Sequence, residues 1–227
     1  MPLESPRLAQ DLPDVSVART TELRWFFDGP LQADVRSWFM PGGEGLLEHR
    51  CDTYLLDGFL HIGVKQRARR TLELKIRTGL PAPASIAPDV YGGVETWRRW
   101  SPADRLLTLD HDSVWLDVDK TIVKRRFGTD GQEKLLSEST RAMTGQGCDA
   151  EIAALWANGR EAWTLAFAAF GQPDTHCNSL RSAWRSLSMG LAPPGRLDLG
   201  IDRSYGYPEW ISKAMESATA SQTSASP

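Results

Sequence analysis

The chain has 227 residues, 41 % of them hydrophobic and 24 % charged, with a formal net charge of −3. This composition suits one globular domain with a sizeable core, and the charge gives no sign of a nucleic-acid partner. No apolar run approaches the roughly 20 residues that a membrane span needs, and the first residues lack the apolar centre of a secretion signal. The three cysteines have no CxxC spacing. We therefore predict a cytoplasmic protein with neither a membrane nor a nucleic-acid partner.

The N-terminal part begins with a segment that has no periodicity. Residues 1–18 contain three prolines, so we predict a flexible lead. Residues 20–27 alternate apolar and polar side chains, as in a β-strand. After Pro30, apolar residues recur at helical spacing and predict an amphipathic helix. They are Leu31, Val35, Trp38 and Phe39.

The stretch from Leu60 to Thr78 predicts a hairpin with one unusually charged face. Leu72, Leu74 and Ile76 lie on one face of its second strand. Charged residues of both signs take every second position on the other face. They are Glu73, Lys75 and Arg77, with Lys65 and Arg67 on the preceding strand.

Most of the remaining chain also has strand character. Residues 47–56, 94–101 and 114–127 are predicted strands, and residues 79–93, with three Pro and three Gly, are the longest predicted loop. The clearest hairpin joins residues 148–157 to 161–170 through Asn158-Gly159, a type I′ turn signal.

The C-terminal part contains the second predicted helix. Residues 175–189 carry Leu180, Trp184 and Leu187 on one stripe. The segment SYGYPEWI is predicted to pack on the barrel as a strap, and residues 214–227 are predicted to be a disordered tail. Residues 19–213 would then form one domain. We predict a mainly β (α+β) fold: an antiparallel eight-stranded β-barrel or tunnel with flanking helices.

The polar faces of the predicted strands carry an excess of positive charge. Eight cations stand against four carboxylates, although the whole chain is negative. The set is Glu22, Arg24, Lys65, Arg67, Glu73, Lys75, Arg77, Glu95, Arg99, Lys124, Arg126 and Glu151. These faces either meet solvent or line a lumen; in the second case the lumen would attract an anion, because Arg and Lys grip phosphate oxygens.

The order of these motifs resembles the CYTH domains, the triphosphate tunnel metalloenzyme superfamily. The resemblance covers about residues 19–171. It is carried by Thr20-Thr21-Glu22-Leu23-Arg24, Cys51-Asp52-Thr53-Tyr54, Lys65-Gln66-Arg67, Leu72-Glu73-Leu74-Lys75, Glu95-x-x-Arg98-Arg99, Lys124-Arg125-Arg126 and Ala150-Glu151-Ile152.

The resemblance implies a small phosphorylated ligand, a triphosphate or polyphosphate. It implies phosphate binding by Lys65, Arg67, Lys75, Arg77, Arg99, Lys124 and Arg126. It also implies Mg²⁺ or Mn²⁺ on Glu22, Glu95 and Glu151, with Glu22 and Arg24 as catalytic residues.

The chain departs from the family pattern on the acidic side. Thr20 replaces one first-strand carboxylate, Arg24 replaces a Lys, and Ala153 stands where a second acid is usual. Two functions therefore stay open. One is a metal-dependent triphosphatase, a phosphohydrolase; the other is a non-catalytic anion-binding module with a degenerate metal site.

Overall fold

The computed structural model describes residues 15–43, 45–56, 59–68, 70–102, 115–137, 142–195 and 197–223. Within these ranges the chain forms ten β-strands and three α-helices. The strands are β1 (Val15–Asp28), β2 (Leu46–Leu55), β3 (Ile62–Arg67), β4 (Thr71–Arg77), β5 (Ala82–Ala87), β6 (Val90–Pro102), β7 (Trp115–Phe127), β8 (Glu133–Lys134), β9 (Gly147–Ala157) and β10 (Arg160–Phe170). The helices are α1 (Ala33–Phe39), α2 (His176–Met189) and α3 (Tyr207–Thr223).

Eight of the strands close into an antiparallel barrel. Their order is β1-β10-β9-β7-β2-β3-β4-β6, and β6 pairs back with β1. At the closing seam Glu22 stands opposite Glu95 on one side and Ala168 on the other. The two remaining strands extend the sheet: β5 pairs with β6, and β8 pairs with β7. The predicted fold class is therefore confirmed.

The hairpin of β9 and β10 shows how local sequence fixes register. Asn158 and Gly159 both adopt positive φ, at 50° and 75°. A type I′ turn requires this conformation at both central positions, and Asn and Gly adopt it at low cost. The turn aligns all eleven residues of each strand, from Arg160 opposite Ala157 to Phe170 opposite Gly147.

Helices α1 and α2 cover part of the outside of the barrel. Trp38 and Phe39 of α1 and Trp184 of α2 join a core cluster with the outward-facing Leu165 and Phe167 of β10. The Trp38 and Trp184 ring centroids are 5.9 Å apart. Because apolar strand faces pack under these helices, the opposite faces of the same strands are left to line the interior.

Helix α3 fills one end of the barrel interior. Its Trp210 stacks on Phe26 at a centroid distance of 5.4 Å, and Tyr205, just before the helix, stacks on the same ring at 5.2 Å. Phe26 shares the lumen-facing side of β1 with Arg24, so this apolar cluster lies inside the barrel. The approach is close: a Cβ on Gly206 would lie 2.6 Å from Oε2 of Glu95.

Three sequence-based boundaries differ from the structure. The predicted loop 79–93 is wrong, because it contains β5 and the start of β6. Strand β5 lies at the edge of the sheet, where a proline such as Pro83 is tolerated, and its apolar–polar alternation is weak. Strand β1 begins inside the predicted lead, and α3 runs to Thr223, inside the predicted tail; residues 1–14 and 224–227 lie outside the described residues.

Among the described residues, no helix has both the length and the apolar character needed to span a bilayer.

Candidate functional site

The charged strand faces meet in the lumen of the barrel. A cavity of about 110 Å³ lies there, bounded by side chains from all eight barrel strands and from the start of α3. Among the residues that the structure describes, eight cations and five carboxylates line it, an excess of three positive charges. The cations are Arg24, Arg50, Lys65, Arg67, Lys75, Arg99, Lys120 and Lys124, and the carboxylates are Glu22, Glu73, Glu95, Asp149 and Glu151. The sequence left open whether the charged strand faces meet solvent or line a lumen. In the structure these side chains face the lumen.

Nine of the eleven predicted site residues line this cavity. They are Glu22, Arg24, Lys65, Arg67, Lys75, Glu95, Arg99, Lys124 and Glu151. The other two, Arg77 and Arg126, are absent from the lining and are held in direct ion pairs. Arg77 Nη1 donates to Glu95 Oε1 at 2.5 Å, and Arg126 donates to both oxygens of Asp149, at 2.6 and 2.9 Å.

One side of the cavity is the basic wall, which we define as Lys65, Arg67, Lys75 and Arg99 on β3, β4 and β6. These cations surround Glu73, whose carboxylate lies 3.4 Å from Lys65 Nζ, 3.8 Å from Arg67 Nη1 and 4.0 Å from Arg99 Nη1. Burial by itself would raise the pKa of Glu73, but the surrounding cations outweigh it and lower the pKa to about 2. The wall therefore carries four positive charges and one permanent negative charge.

The opposite side of the cavity is organised by Glu151 on β9. Three barrel strands separate β9 from β4 in either direction around the barrel. The Glu151 carboxylate pairs with Arg24 Nη1 at 3.3 Å and with Lys124 Nζ at 3.5 Å. Burial disfavours its charge, yet these cations hold its pKa well below the usual range. Positive charge is thus available on both sides of the lumen.

The inner end of the cavity is built around Lys120, which the sequence-based assignment left out. Its Nζ donates to Tyr54 Oη at 2.5 Å, pairs with Asp52 at 3.3 Å and lies 3.8 Å from the Tyr207 ring centroid. Arg24 approaches the same ring at 4.7 Å. Burial lowers the pKa of the Lys120 ammonium, while burial raises the pKa of Tyr207 to about 12. The contacts of Lys120 and Arg24 with the Tyr207 ring connect α3 to the charged lumen.

The sequence did contain a signal for the missed residues. Arg50, Asp52 and Tyr54 alternate on one face of β2, and Lys120 has the same parity as Lys124 on β7. Arg50 Nε donates to Asp52 at 3.0 Å, so Asp52 holds together cations from three strands. The two-residue period therefore places these residues on the same strand faces as the predicted site residues.

Small residues on β10 leave room between the charged side chains. Ala166 lies between Arg24 and Glu151 in the register, and Ala168 lies between Glu22 and Asp149. Both alanines line the cavity. Because each side chain ends at Cβ, the β10 side of the lumen adds free volume between these charged residues instead of a further charge.

The carboxylates do not form a preassembled metal centre. Among the described residues, no three His, Cys, Asp or Glu side chains converge well enough to hold an ion. Glu22 and Glu151 line the cavity and fit the role of one or two carboxylate ligands, which is what Mg²⁺ commonly takes from protein. All three predicted metal carboxylates already have cationic partners: Arg77 donates to Glu95, Lys75 donates to Glu22, and Arg24 and Lys124 pair with Glu151. A bound metal ion would therefore have to displace them.

Comparison of the chain with protein-family models, with curated proteins and with solved structures finds no match. The CYTH resemblance of the motifs stays a prediction. Function is therefore inferred from the chemistry of the lumen itself.

Proposed function

We propose that the protein binds a triphosphate- or polyphosphate-type anion in the lumen of its barrel. The observation that supports this most directly is the excess of three positive charges in a largely buried cavity. Guanidinium and ammonium groups form strong charge-assisted hydrogen bonds to phosphoryl oxygens, especially away from bulk water. An anion entering the lumen would exchange its hydration for these donors.

The placement of the cations favours a ligand with several anionic groups. The basic wall offers Lys65, Arg67, Lys75 and Arg99, while Arg24 and Lys124 lie with Glu151 on the opposite side. A linear chain of phosphoryl groups offers these separate cations more acceptor oxygens than a single phosphate does. The enclosed cavity suits a small phosphorylated molecule better than a nucleic-acid strand.

Calorimetry with tripolyphosphate and orthophosphate tests this proposal. We expect saturable binding of tripolyphosphate, weakening as salt increases, and much weaker binding of orthophosphate. At a free ligand concentration of 100 times the Kd, binding should add about 2.7 kcal/mol to the free energy of unfolding. No heat of binding and no thermal shift with tripolyphosphate, with or without Mg²⁺, would refute the proposal.

Metal-dependent hydrolysis is the second candidate function. It is favoured by the position of Glu22 and Glu151 in the cavity lining beside the space left by Ala166 and Ala168. These carboxylates would hold Mg²⁺ or Mn²⁺, which when bound would neutralise phosphoryl charge and polarise a phosphoryl oxygen. Arg24 would stabilise charge on the reacting phosphoryl group; as a guanidinium, it would not move a proton.

Phosphate release separates binding from turnover. Tripolyphosphate, ATP and thiamine triphosphate would be incubated with Mn²⁺, with Mg²⁺ and with chelator. Release that requires metal and is lost in Glu151→Gln would support the hydrolase. Binding without release in any of these conditions would establish the lumen as a binding module and exclude hydrolysis of these three substrates.

A further inference from the structure

Glu73 lies at the centre of the basic wall, although the sequence-based assignment gave it no role in binding. It projects from β4 into the lumen, is only 4 % exposed and stands directly opposite Lys65 on β3. Lys75 follows it on the same face of the same strand. One buried carboxylate is thus shared among the cations of three strands.

The contacts of Glu73 with the two arginines of this wall are loose. Arg67 and Arg99 approach its carboxylate only to 3.8 and 4.0 Å, which is beyond hydrogen-bonding distance. By contrast, Arg77 donates to Glu95 at 2.5 Å. The guanidinium donors of Arg67 and Arg99 are therefore attracted by Glu73 but not consumed by it.

A carboxylate and a phosphoryl group offer these cations the same kind of acceptor oxygen. Because the pKa of Glu73 is lowered to about 2, its charge persists at every physiological pH. Without Glu73, Lys65 would keep Asp52 and Lys75 would keep Glu22. Arg67 and Arg99 would lose the buried carboxylate that they share, which is costly in a poorly solvated space. With it, the cations stay together before any ligand arrives.

We propose that Glu73 is a built-in counter-anion of the basic wall: it holds the cations in place in the free protein and competes with the phosphoryl groups of the ligand for Arg67 and Arg99. This inference rests on the proposed function, since it concerns the affinity of the same site. The counter-anion role predicts two opposite effects of the same change. Removing the charge of Glu73 lowers the stability of the ligand-free protein and raises its affinity for the anion.

The variant Glu73→Gln keeps the shape of the side chain and removes its charge. We expect its Kd for tripolyphosphate, measured by calorimetry at fixed ionic strength, to fall at least about ten-fold, because a like charge is removed a few ångströms from the anion. We also expect a lower melting temperature without ligand and a larger rise on adding tripolyphosphate. If Glu73→Gln fails to fold, Glu73→Met, which is also uncharged and of similar size, replaces it.

Two matched variants control for net charge. Glu161→Gln changes the same charge at an exposed position outside the lumen and should leave the Kd unchanged. Glu95→Gln removes a lumen carboxylate that is already bound to Arg77 and should lower the Kd less than Glu73→Gln does. An equal gain in Glu95→Gln would overturn a special role for Glu73.

The outcomes also separate this inference from the proposed function. If the unmodified protein binds tripolyphosphate and Glu73→Gln binds it equally or more weakly, the counter-anion role is overturned and the proposed function stands. If only Glu73→Gln binds, the counter-anion role is supported and the proposed function of the natural chain is overturned. If neither binds, both are overturned.

Discussion

Lys75 Nζ lies 2.7 Å from Glu22 Oε1, although their strands, β4 and β1, are not neighbours in the barrel. Strand β6 separates them, so the ion pair crosses over β6 on the lumen side. Burial would raise the pKa of Glu22, but Lys75 and Arg24 outweigh burial and the net shift is downward. The pair thus links the basic wall to the first strand, which carries the predicted catalytic residues.

Lys75→Met should weaken anion binding, and it should also lower the free energy of unfolding because Glu22 loses its nearest cation. The change removes one charge-assisted donor, worth about 1.5–3 kcal/mol, so the Kd for tripolyphosphate should rise about ten- to a hundred-fold. Calorimetry of the purified variant measures this directly. The matched change Lys134→Met, on exposed β8, should leave the Kd unaltered; an equal loss there would show that net charge alone controls affinity.

Arg126→Met should behave differently, even though the sequence also predicts phosphate binding by Arg126. Both oxygens of Asp149 accept hydrogen bonds from Arg126, and both side chains are buried. Truncating either partner should cost about 3–5 kcal/mol of unfolding free energy, because a buried charge is left alone. Urea denaturation of Arg126→Met, Asp149→Asn and the double variant would show the coupling.

For this pair, a double variant that loses as much stability as the sum of the two single variants would contradict the coupling. A Kd for tripolyphosphate raised ten-fold in Arg126→Met, at unchanged stability, would return Arg126 to the binding residues.

The barrel could be predicted because its strands alternate strictly. Residues 72–77 place Leu, Leu and Ile outside and Glu, Lys and Arg inside, and Asn158-Gly159 fixes the last hairpin. The direction of the charged face could not be derived from β4 alone. It depends on which face the helices cover, a tertiary choice that a period of two does not encode.

Two other features of the structure could not be predicted from the residue pattern within a single strand. Whether a cation is held by a carboxylate depends on distances between strands. Arg77 and Arg99 both lie on the polar faces of their strands, yet Arg77 donates to Glu95 at 2.5 Å whereas Arg99 lies 4.0 Å from Glu73. The end of the chain was predicted to be disordered because its residues are small and polar. Helix α3 is instead anchored at its first turn, where Tyr207 and Trp210 enter the barrel.

Trp210→Ala should destabilise the protein strongly by opening the inner end of the barrel. Trp210 is 8 % exposed and stacks on Phe26, and loss of a buried Trp typically costs about 3–5 kcal/mol. Trp156, which is 49 % exposed on the outside of β9, is the matched control. Trp156→Ala should change the unfolding free energy by only about 0.5 kcal/mol. Similar losses in the two variants would contradict the anchoring role of α3.

Stability should fall steeply in acid because the lumen carboxylates resist protonation in the folded state. The pKa of Glu73 is lowered to about 2, and the pKa values of Asp52 and Glu151 are also strongly lowered. Unfolded Asp and Glu bind protons near pH 4. Between about pH 4 and 2 the unfolded chain therefore binds more protons than the folded one, so stability rises with pH and is lost as pH falls.

Each such carboxylate contributes a slope of up to about 1.4 kcal/mol per pH unit in this window. Urea unfolding from pH 2 to pH 7 would measure the combined slope. In Glu73→Gln the slope between about pH 4 and 2 should be shallower by up to about 1.4 kcal/mol per unit, whereas the exposed Glu161→Gln should retain the parent profile. A Glu73→Gln profile parallel to that of the parent would mean that Glu73 takes up its proton alike in the folded and the unfolded chain, contrary to the ion pairs that surround it.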